Sequence, residues 1–244
     1  MRDIDIDAVG ITLLSEHGYF KQKLDESGYQ FEEPVNWDFE NTLRRTGITT
    51  SVLIEGRRVH LNVWEYELKG VSGKNVMIYF LDANDERNRE EDRQLTSQLY
   101  GGDQRYRIKQ EMILGIGGVK ILREMGYNPR KYHMNEGHAA FLILELYREL
   151  HSLKDEQTKQ HVIKQLCSFT THTPVAAGHD AFPIEMVQQV LGDYVPPHLL
   201  NVVLKDGKFN MTLLALNHSS YVNAVARKHQ EVSKRMFPEF EIDY

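Results

Sequence analysis

A nearly unbroken apolar run, NVMIYFLDA from Asn75 to Ala83, constrains the fold of this chain most strongly. Such a run is typical of a parallel β-strand that is covered on both faces. Parallel strands need long crossover connections, which are usually helices. The run therefore favours an α/β fold.

Strand and helix patterns alternate along the rest of the chain. We predict a short buried strand at Asp7–Leu14, a hairpin from SVLIEG and VHLNVWEYEL, a helix over Gln104–Met125, a strand at KYHMN, a helix at Glu136–Leu150, a strand at Gln165–His172 and a helix at Tyr221–Phe237. This order predicts a Rossmann-like, doubly wound, mostly parallel sheet with a β-hairpin insertion. Ligands in such folds bind beyond the carboxyl ends of the strands.

Composition excludes several classes of protein. The formal net charge of -6 gives no electrostatic reason to expect binding to nucleic acid or to an anionic membrane. The single cysteine, Cys167, excludes an internal disulfide and a cysteine-cluster metal site, and its apolar surroundings predict a small buried side chain. We find no signal-peptide pattern after Met1 and no apolar run of about 20 residues. We therefore expect a soluble protein of a reducing compartment, the cytoplasm.

A glycine-rich stretch, GIGG at Gly115–Gly118, is similar to part of a dinucleotide-binding fingerprint. The fingerprint requires a strand-to-helix turn, whereas these glycines fall inside a helical pattern. We therefore predict that they let this helix pack closely against a neighbour.

The first candidate site is HMNEGHAAF, which begins at His133. His133, Glu136 and His138 offer zinc ligands, but their spacing matches neither H-E-x-x-H nor H-x-x-E-H. Asn135 is alternatively a helix N-cap, with Glu136 in the first turn. The pattern alone leaves a polar ligand site and a simple helix start open.

The second candidate site is FTTHTPVAAGHDAFP, which runs from Phe169 to Pro183. His172, His179 and Asp180 offer a proton relay, but no activated nucleophile, G-x-S-x-G elbow or convergent carboxylate pair accompanies them. His172 alternatively just ends a strand. Two strand ends rich in histidine nevertheless predict a polar ligand site at the carboxyl edge of the sheet.

Five blocks of sequence, in order and over most of the chain, resemble the α-glucan (glycogen, starch, maltodextrin) phosphorylase family. They are HGYFKQKLDESGYQ, LYGGDQRYRIKQEMILGIGGVKILREMG, YHMNEGHAAF, FTTHTPVAAGHDAFP and NMTLLALNHSSYVNAVARKHQEVSKRMF. The resemblance implies a two-domain GT-B glycosyltransferase fold with the active site between the domains. Residues 1–244 are then one partial N-terminal domain, on the glucan-binding side.

The resemblance also implies a reaction. Orthophosphate displaces the terminal glucose of an α-1,4-glucan or maltodextrin as glucose 1-phosphate, with retention, and pyridoxal phosphate supplies the proton relay. The family's glycine-rich phosphate loop, its lysine anchor for the cofactor and its basic orthophosphate ligands have no counterpart in this sequence. We therefore expect the C-terminal cofactor domain to be absent, the isolated chain to be inactive, and a homodimer to be the family's usual assembly.

The resemblance assigns roles to five residues. His172 matches the histidine that hydrogen-bonds the 6-hydroxyl of the reacting glucose, which is the catalytic position. Glu136 and His138 match residues that line the glucose pocket, while Asp103 and Gln104 match a loop that gates the cleft. Arg107 is expected to have a structural role. The chain is expected to contribute no cofactor ligand and no metal ligand.

Two other interpretations stay open. The chain is alternatively a non-catalytic glucan-binding module that keeps sugar contacts through His172, Glu136 and His138. It is otherwise a truncated remnant that folds poorly, because a parallel sheet without its first strands exposes edges and apolar surface.

Overall fold

The structure is a computed structural model that describes residues 6–35, 37–71, 73–99, 101–175 and 178–244. The strands are β1 (Val9–Leu13), β2 (Phe20–Leu24), β3 (Gln30–Pro34), β4 (Arg44–Ile54), β5 (Arg57–Lys69), β6 (Asn75–Asp82), β7 (Tyr132–Asn135), β8 (Cys167–Thr171), β9 (Ala181–Pro183), β10 (Leu204–Lys205), β11 (Lys208–Asn210) and β12 (Tyr221–Ala224). The α-helices are α1 (Phe39–Thr42), α2 (Glu90–Arg93), α3 (Gln104–Met112), α4 (Gly118–Glu124), α5 (Leu142–Glu149), α6 (Glu156–Leu166), α7 (Ile184–Leu191), α8 (Leu200–Val203), α9 (Met211–Asn217) and α10 (Arg227–Met236). A π-helical segment (Ile113–Gly117) joins α3 to α4, and a 3₁₀ turn (Gly137–Ala139) precedes α5.

The described strands form two larger sheets and two small antiparallel ones. A mixed sheet has the order β1-β6-β5-β4, and a parallel sheet has the order β12-β8-β7. The small sheets are β10-β11-β9 and the hairpin β2-β3. The predicted α/β class and the predicted β4–β5 hairpin are confirmed. The strands do not, however, form a single, mostly parallel sheet. Strand β6 pairs parallel with β1 and antiparallel with β5, and its first half is only partly buried.

The connection between the two larger sheets packs against the mixed sheet. In the mixed sheet β6 lies between β1 and β5, and in the parallel sheet β8 lies between β7 and β12. The connection from β6 to β7 runs through α3, the π-helical segment and α4, and the π-helical segment contacts β1, β4, β6 and α5. The π-helical segment is therefore packed between the mixed sheet and α5.

The predicted close packing of the glycine-rich helix is confirmed. A methyl group at Gly115 would lie 2.6 Å from the backbone nitrogen of Leu142 and 2.8 Å from the carbonyl carbon of Phe141. At Gly117 it would lie 2.9 Å from the Cδ1 atom of Leu61 in β5. These glycines bring the helix against α5 on one side and the mixed sheet on the other, and they lie inside the helix, one turn or more past its first residue.

Several predicted boundaries are wrong. Asn135 is the last residue of β7, and Glu136 caps the following turn instead. The predicted helix over 221–237 begins with a strand, because Val222 and Ala224 are buried and β12 pairs in parallel with β8. Helix α6 likewise continues to Leu166, so β8 starts only at Cys167 rather than at Gln165. The Cys167 side chain is fully buried, as predicted.

None of the helices in the described ranges combines the length and the apolar character needed to cross a membrane.

An ion-pair network ties the β4–β5 turn to helix α3 and to the acidic segment after β6. Glu55 lies in the turn and accepts hydrogen bonds from Arg57 (2.6 Å) and Arg105 (2.6 Å), with the Lys109 ammonium 3.0 Å away. Arg57 also donates two 2.7 Å bonds to Asp92, which is buried. The charged segment after β6 is therefore anchored to the sheet.

We expect Glu55→Gln to lower the free energy of unfolding by about 2 kcal/mol at pH 7. Burial alone would raise the pKa of Glu55, but the hydrogen bonds from Arg57, Lys109 and Arg105 lower it to about 2. A depressed pKa stabilises the fold above the unfolded-state value near 4.5 and loses that contribution as the pH falls towards 2. Urea unfolding of both proteins from pH 7 down to pH 3 should show the two stabilities converging. A constant difference across that range would contradict the electrostatic explanation.

Candidate functional site

A cavity of about 170 Å³ lies where the end of β1, helix α3 and the turn after β7 meet. It is lined by Thr12, Leu13, Ser15, Tyr19, Leu99, Arg107, Gln110, Glu111, Leu114 and His138. These residues come from the end of β1 and the loop after it, from the loop before α3, from α3 and the π-helical segment, and from the turn that follows β7. The cavity is therefore at the carboxyl ends of the strands, where the order of the elements predicts a ligand site.

The Glu136 carboxylate joins the ends of β7 and β8. Its Oε2 atom accepts hydrogen bonds from the His172 backbone N–H (2.7 Å) and from the Thr173 hydroxyl (2.8 Å), and its Oε1 atom accepts one from the Gly137 N–H (3.0 Å). Glu136 has φ +72° and ψ 166°, a backbone conformation that residues other than glycine rarely adopt. The structure thus holds the two histidine-bearing segments together through one strained residue.

The two histidines at these strand ends differ in environment. His138 is partly buried beside the cavity, and burial together with the positive charge of Arg107 lowers its pKa, although Glu136 and Asp180 act in the opposite direction. A neutral imidazole at pH 7 both donates and accepts a hydrogen bond. The side chain of His172 is exposed, and its backbone is fixed by Glu136. His138 therefore lies in the cavity wall, whereas the His172 ring is open to solvent.

A partly buried charged cluster contributes to the cavity wall. The Arg107 guanidinium lies 2.9 Å from Glu111, one helical turn further along, and 3.1 Å from Asp180. Glu111 is almost fully buried, and burial and the neighbouring Asp180 charge raise its pKa well above the ordinary value, which Arg107 only partly offsets. Burial thus favours the neutral form of Glu111, which lies next to an arginine–aspartate pair.

Asp103 and Gln104 lie at the start of α3 and are exposed. The Asp103 carboxylate caps this helix by accepting a 2.8 Å hydrogen bond from the Tyr106 N–H. In the parts of the chain that the structure describes, no hydrogen bond joins either residue to Glu136, His138 or His172. The structure thus brings three of the five predicted site residues together and leaves two at the first turn of the helix that carries Arg107.

His133 and His179 are occupied elsewhere. The His133 ring lies 3.2 Å from the Ser168 hydroxyl and 3.1 Å from the Thr170 hydroxyl, on the exposed face of β7. His179 is buried, with Nδ1 2.8 Å from the Thr212 hydroxyl and its ring edge-on to Phe237. Within the described residues, no group of three histidine, cysteine or acidic side chains is arranged to hold a metal ion.

Sequence reasoning missed Glu111 and gave Arg107 only a structural role. Their spacing of four residues and opposite charges is the signal that identifies them as partners on one helix face. The signal is easy to overlook because Ile108 and Met112 make the same helix look like an ordinary amphipathic one.

The cavity does not fit pyridoxal phosphate. This cofactor is held as a Schiff base with a lysine amine, and the side chains that line the described cavity include an arginine and a histidine as basic groups but no lysine. No chemical step is therefore assigned to that cofactor in this chain.

Curated relatives match the chain over nearly its whole length. It is 37% identical over 250 residues to the maltodextrin phosphorylase of Thermococcus litoralis, a match that covers 96% of this chain and 29% of that protein. It is 34% identical over 261 residues to the glycogen phosphorylase of Mycobacterium tuberculosis, covering 97% of the chain and 30% of the relative. The glycogen phosphorylase of Aquifex aeolicus is 28% identical over 96% of the chain and 36% of its own length.

No model of a known protein family matches the chain. The chain spans about three tenths of the length of the first two of these relatives. The five sequence blocks, the polar strand ends and these matches agree with one another. Over nearly all of its residues, the chain is therefore homologous to one part of the maltodextrin and glycogen phosphorylase family.

Proposed function

We propose that this chain forms one wall of the glucan-binding cleft of an α-glucan phosphorylase. The observation that carries the proposal is the Glu136 carboxylate, which fixes the His172 backbone and the Thr173 hydroxyl to the turn that carries His138. The names of the relatives support the same substrate class. In this proposal residues 1–244 are part of the N-terminal domain of a GT-B enzyme, and a second domain closes the other side of the cleft.

Each site residue has a role in this proposal. The exposed His172 ring hydrogen-bonds the 6-hydroxyl of the terminal glucose, while Glu136 and His138 form the polar wall beside the sugar. Asp103 and Gln104 lie at the entrance and gate it. The Glu136 carboxylate and the His172 backbone are fixed before the ligand binds, so this part of the wall needs little reorganisation to hold a polar ligand.

The whole enzyme would transfer that glucose to orthophosphate as glucose 1-phosphate, with retention, in the cytoplasm and as a homodimer. The family uses pyridoxal phosphate to supply proton transfer for this reaction. Because the cavity described above offers no lysine for that cofactor, we expect the isolated chain to bind glucan without turnover.

Binding of maltoheptaose to the purified chain, measured by isothermal titration calorimetry, tests the proposal. We expect saturable binding that His172→Ala weakens about tenfold, the loss of roughly one good hydrogen bond to a sugar hydroxyl. His133→Ala is the matched control, because His133 is an exposed histidine on the neighbouring strand that bonds only to the sheet, and it should change the affinity less than about twofold.

Two results would count against the proposal. Absence of saturable binding in the folded chain, or equal effects of the two histidine variants, would show that the strand ends do not form a sugar site. Phosphate-dependent release of glucose 1-phosphate by the purified chain would instead show that its catalytic machinery is complete.

A further inference from the structure

A second cavity, of about 360 Å³, lies between β4, α4 and α5. It shares no lining residue with the cavity beside His138. Among the described residues, its wall consists of two hydroxyl side chains from β4 and five charged side chains from the two helices. A wall of this kind does not suit an apolar ligand, because binding sites for apolar molecules are lined mainly by hydrophobic and aromatic side chains.

Glu145 is the buried acidic group of this cavity. Its side chain lies in the wall although the residue is only 8% exposed. The Oε2 atom is inaccessible and has no hydrogen-bond partner, and in the described part of the chain no ion pair joins the carboxylate to a lysine or an arginine. A buried carboxylate oxygen is costly unless it accepts a hydrogen bond. The Glu145 carboxylate therefore favours a ligand that brings a donor.

The two basic side chains of the wall are engaged with other groups. Arg123 donates two 2.8 Å hydrogen bonds to the Glu149 carboxylate and one of 2.6 Å to the Tyr132 hydroxyl. Lys120 donates a 3.1 Å hydrogen bond to the backbone carbonyl of Ser51. Both cations are thus already used within the protein, which disfavours an anionic ligand.

The remaining charges favour a cationic ligand. Once the Arg123–Glu149 pair is set aside, Glu145 and Glu124 face only one positive charge, that of Lys120. A metal ion is disfavoured, because Ca²⁺ and Mg²⁺ require about six oxygen ligands and no group of three acidic or histidine side chains in the described residues is arranged to hold one. An ammonium group has three donors, so one carboxylate and two further oxygen atoms satisfy it.

We propose that this cavity binds a small primary amine in its ammonium form, with Glu145 as the principal ligand. The hydroxyl groups of Thr50 and Ser51 are further acceptors in the wall, and the exposed Glu124 carboxylate attracts a second ammonium group of a short diamine. The site uses none of the residues proposed to contact glucan, so the two proposals are tested separately.

Titration of the whole chain with 1,4-diaminobutane, followed by isothermal titration calorimetry, tests this assignment. The titration is done at pH 8 in about 0.15 M salt, which screens non-specific attraction to the acidic surface. We expect saturable binding that Glu145→Gln weakens at least about tenfold, because glutamine keeps the shape of the side chain but not its charge. Glu90→Gln, at an exposed position of α2, is the control and should change the affinity less than about twofold. The neutral analogue 1,4-butanediol should not bind.

Protonation of Glu145 should weaken the binding of the amine. Burial raises the pKa of this carboxyl group, while Lys120 and Arg148 oppose the shift and Glu149 adds to it. The charged groups of the adjoining helices are Lys120, Arg123, Glu124, Arg148 and Glu149, and β4 contributes only hydroxyl groups to the wall. Because the ligand binds the ionised carboxylate, the affinity should fall as the pH is lowered from 8 to 4. Glu145→Gln should reduce this dependence.

Glu124→Lys is a second variant, at an exposed position where folding is not at risk. It places a competing ammonium group beside the cavity and should weaken binding about fivefold. The proposal is overturned if the diamine does not bind saturably, if the diol binds equally well, or if Glu145→Gln has no more effect than Glu90→Gln. Displacement of the diamine by maltoheptaose would place the amine in the proposed sugar site, and would overturn the proposal as well.

Discussion

Gly115→Ala is expected to lower the free energy of unfolding by about 3 kcal/mol. The added methyl group would meet the Leu142 nitrogen at 2.6 Å and the Phe141 carbonyl carbon at 2.8 Å, and these backbone atoms cannot rotate away. The helix would have to move off α5, which would disturb the glycine contacts with the sheet as well. This cost exceeds the gain of about 1 kcal/mol that alanine normally has over glycine inside a helix.

Gly118→Ala is the matched control for this change. It lies three residues along the same helix, and its nearest neighbour would be a methyl group of Ile11 at 3.2 Å, which can shift slightly. We expect the stability of this variant to stay within about 1 kcal/mol of the original chain. Urea denaturation followed by circular dichroism measures both, and equal losses for the two alanines would show that the close approach to α5 is not what requires Gly115.

Glu111→Gln should make the protein more stable at pH 8 and leave its stability nearly unchanged at pH 4. Burial and the Asp180 charge raise the pKa of Glu111, while Arg107 opposes them. A carboxyl group whose pKa is raised on folding stabilises the protein below its unfolded-state pKa, near 4.5, and loses that contribution as the pH rises. Glutamine keeps the shape of the neutral carboxyl group but does not ionise, so the variant does not lose this stability as the pH rises.

Unfolding curves at pH 4, 6 and 8 would measure this effect, with Glu90→Gln as the control. Glu90 is an exposed acidic residue of α2 and should show no such trend. A Glu111→Gln protein that is less stable than the original at pH 8 would indicate that an ionised Glu111 paired with Arg107 stabilises the fold. The prediction would then be wrong.

The sequence predicted most elements of the fold because their signals are local. The β4–β5 hairpin follows from two β-rich runs around Glu55-Gly56, and the glycine-rich helix follows from its apolar spacing. The start of β12 was missed because its four residues, Tyr221–Ala224, are strand only through pairing with β8, which is distant in sequence. The division of the strands into separate sheets likewise depends on pairing between segments that are distant in sequence, and no local sequence pattern predicts such pairing.

The candidate site was predicted in part for a similar reason. His172, Glu136 and His138 were identified from strand ends and from family resemblance, and the structure brings their segments together. The charged cluster of Arg107, Glu111 and Asp180 was not identified as a unit, because Asp180 is 69 residues or more from its partners and only the tertiary fold joins them.

The Glu136 linkage has a consequence for how this site can vary. Because one carboxylate holds both the His172 backbone and the Thr173 hydroxyl, the loops after β7 and β8 are not independent. A substitution that changes the backbone at 136–138 is transmitted to the segment that carries His172, so effects of changes in the two loops should not add. Evolution or engineering of ligand preference here would have to alter the two loops as a pair.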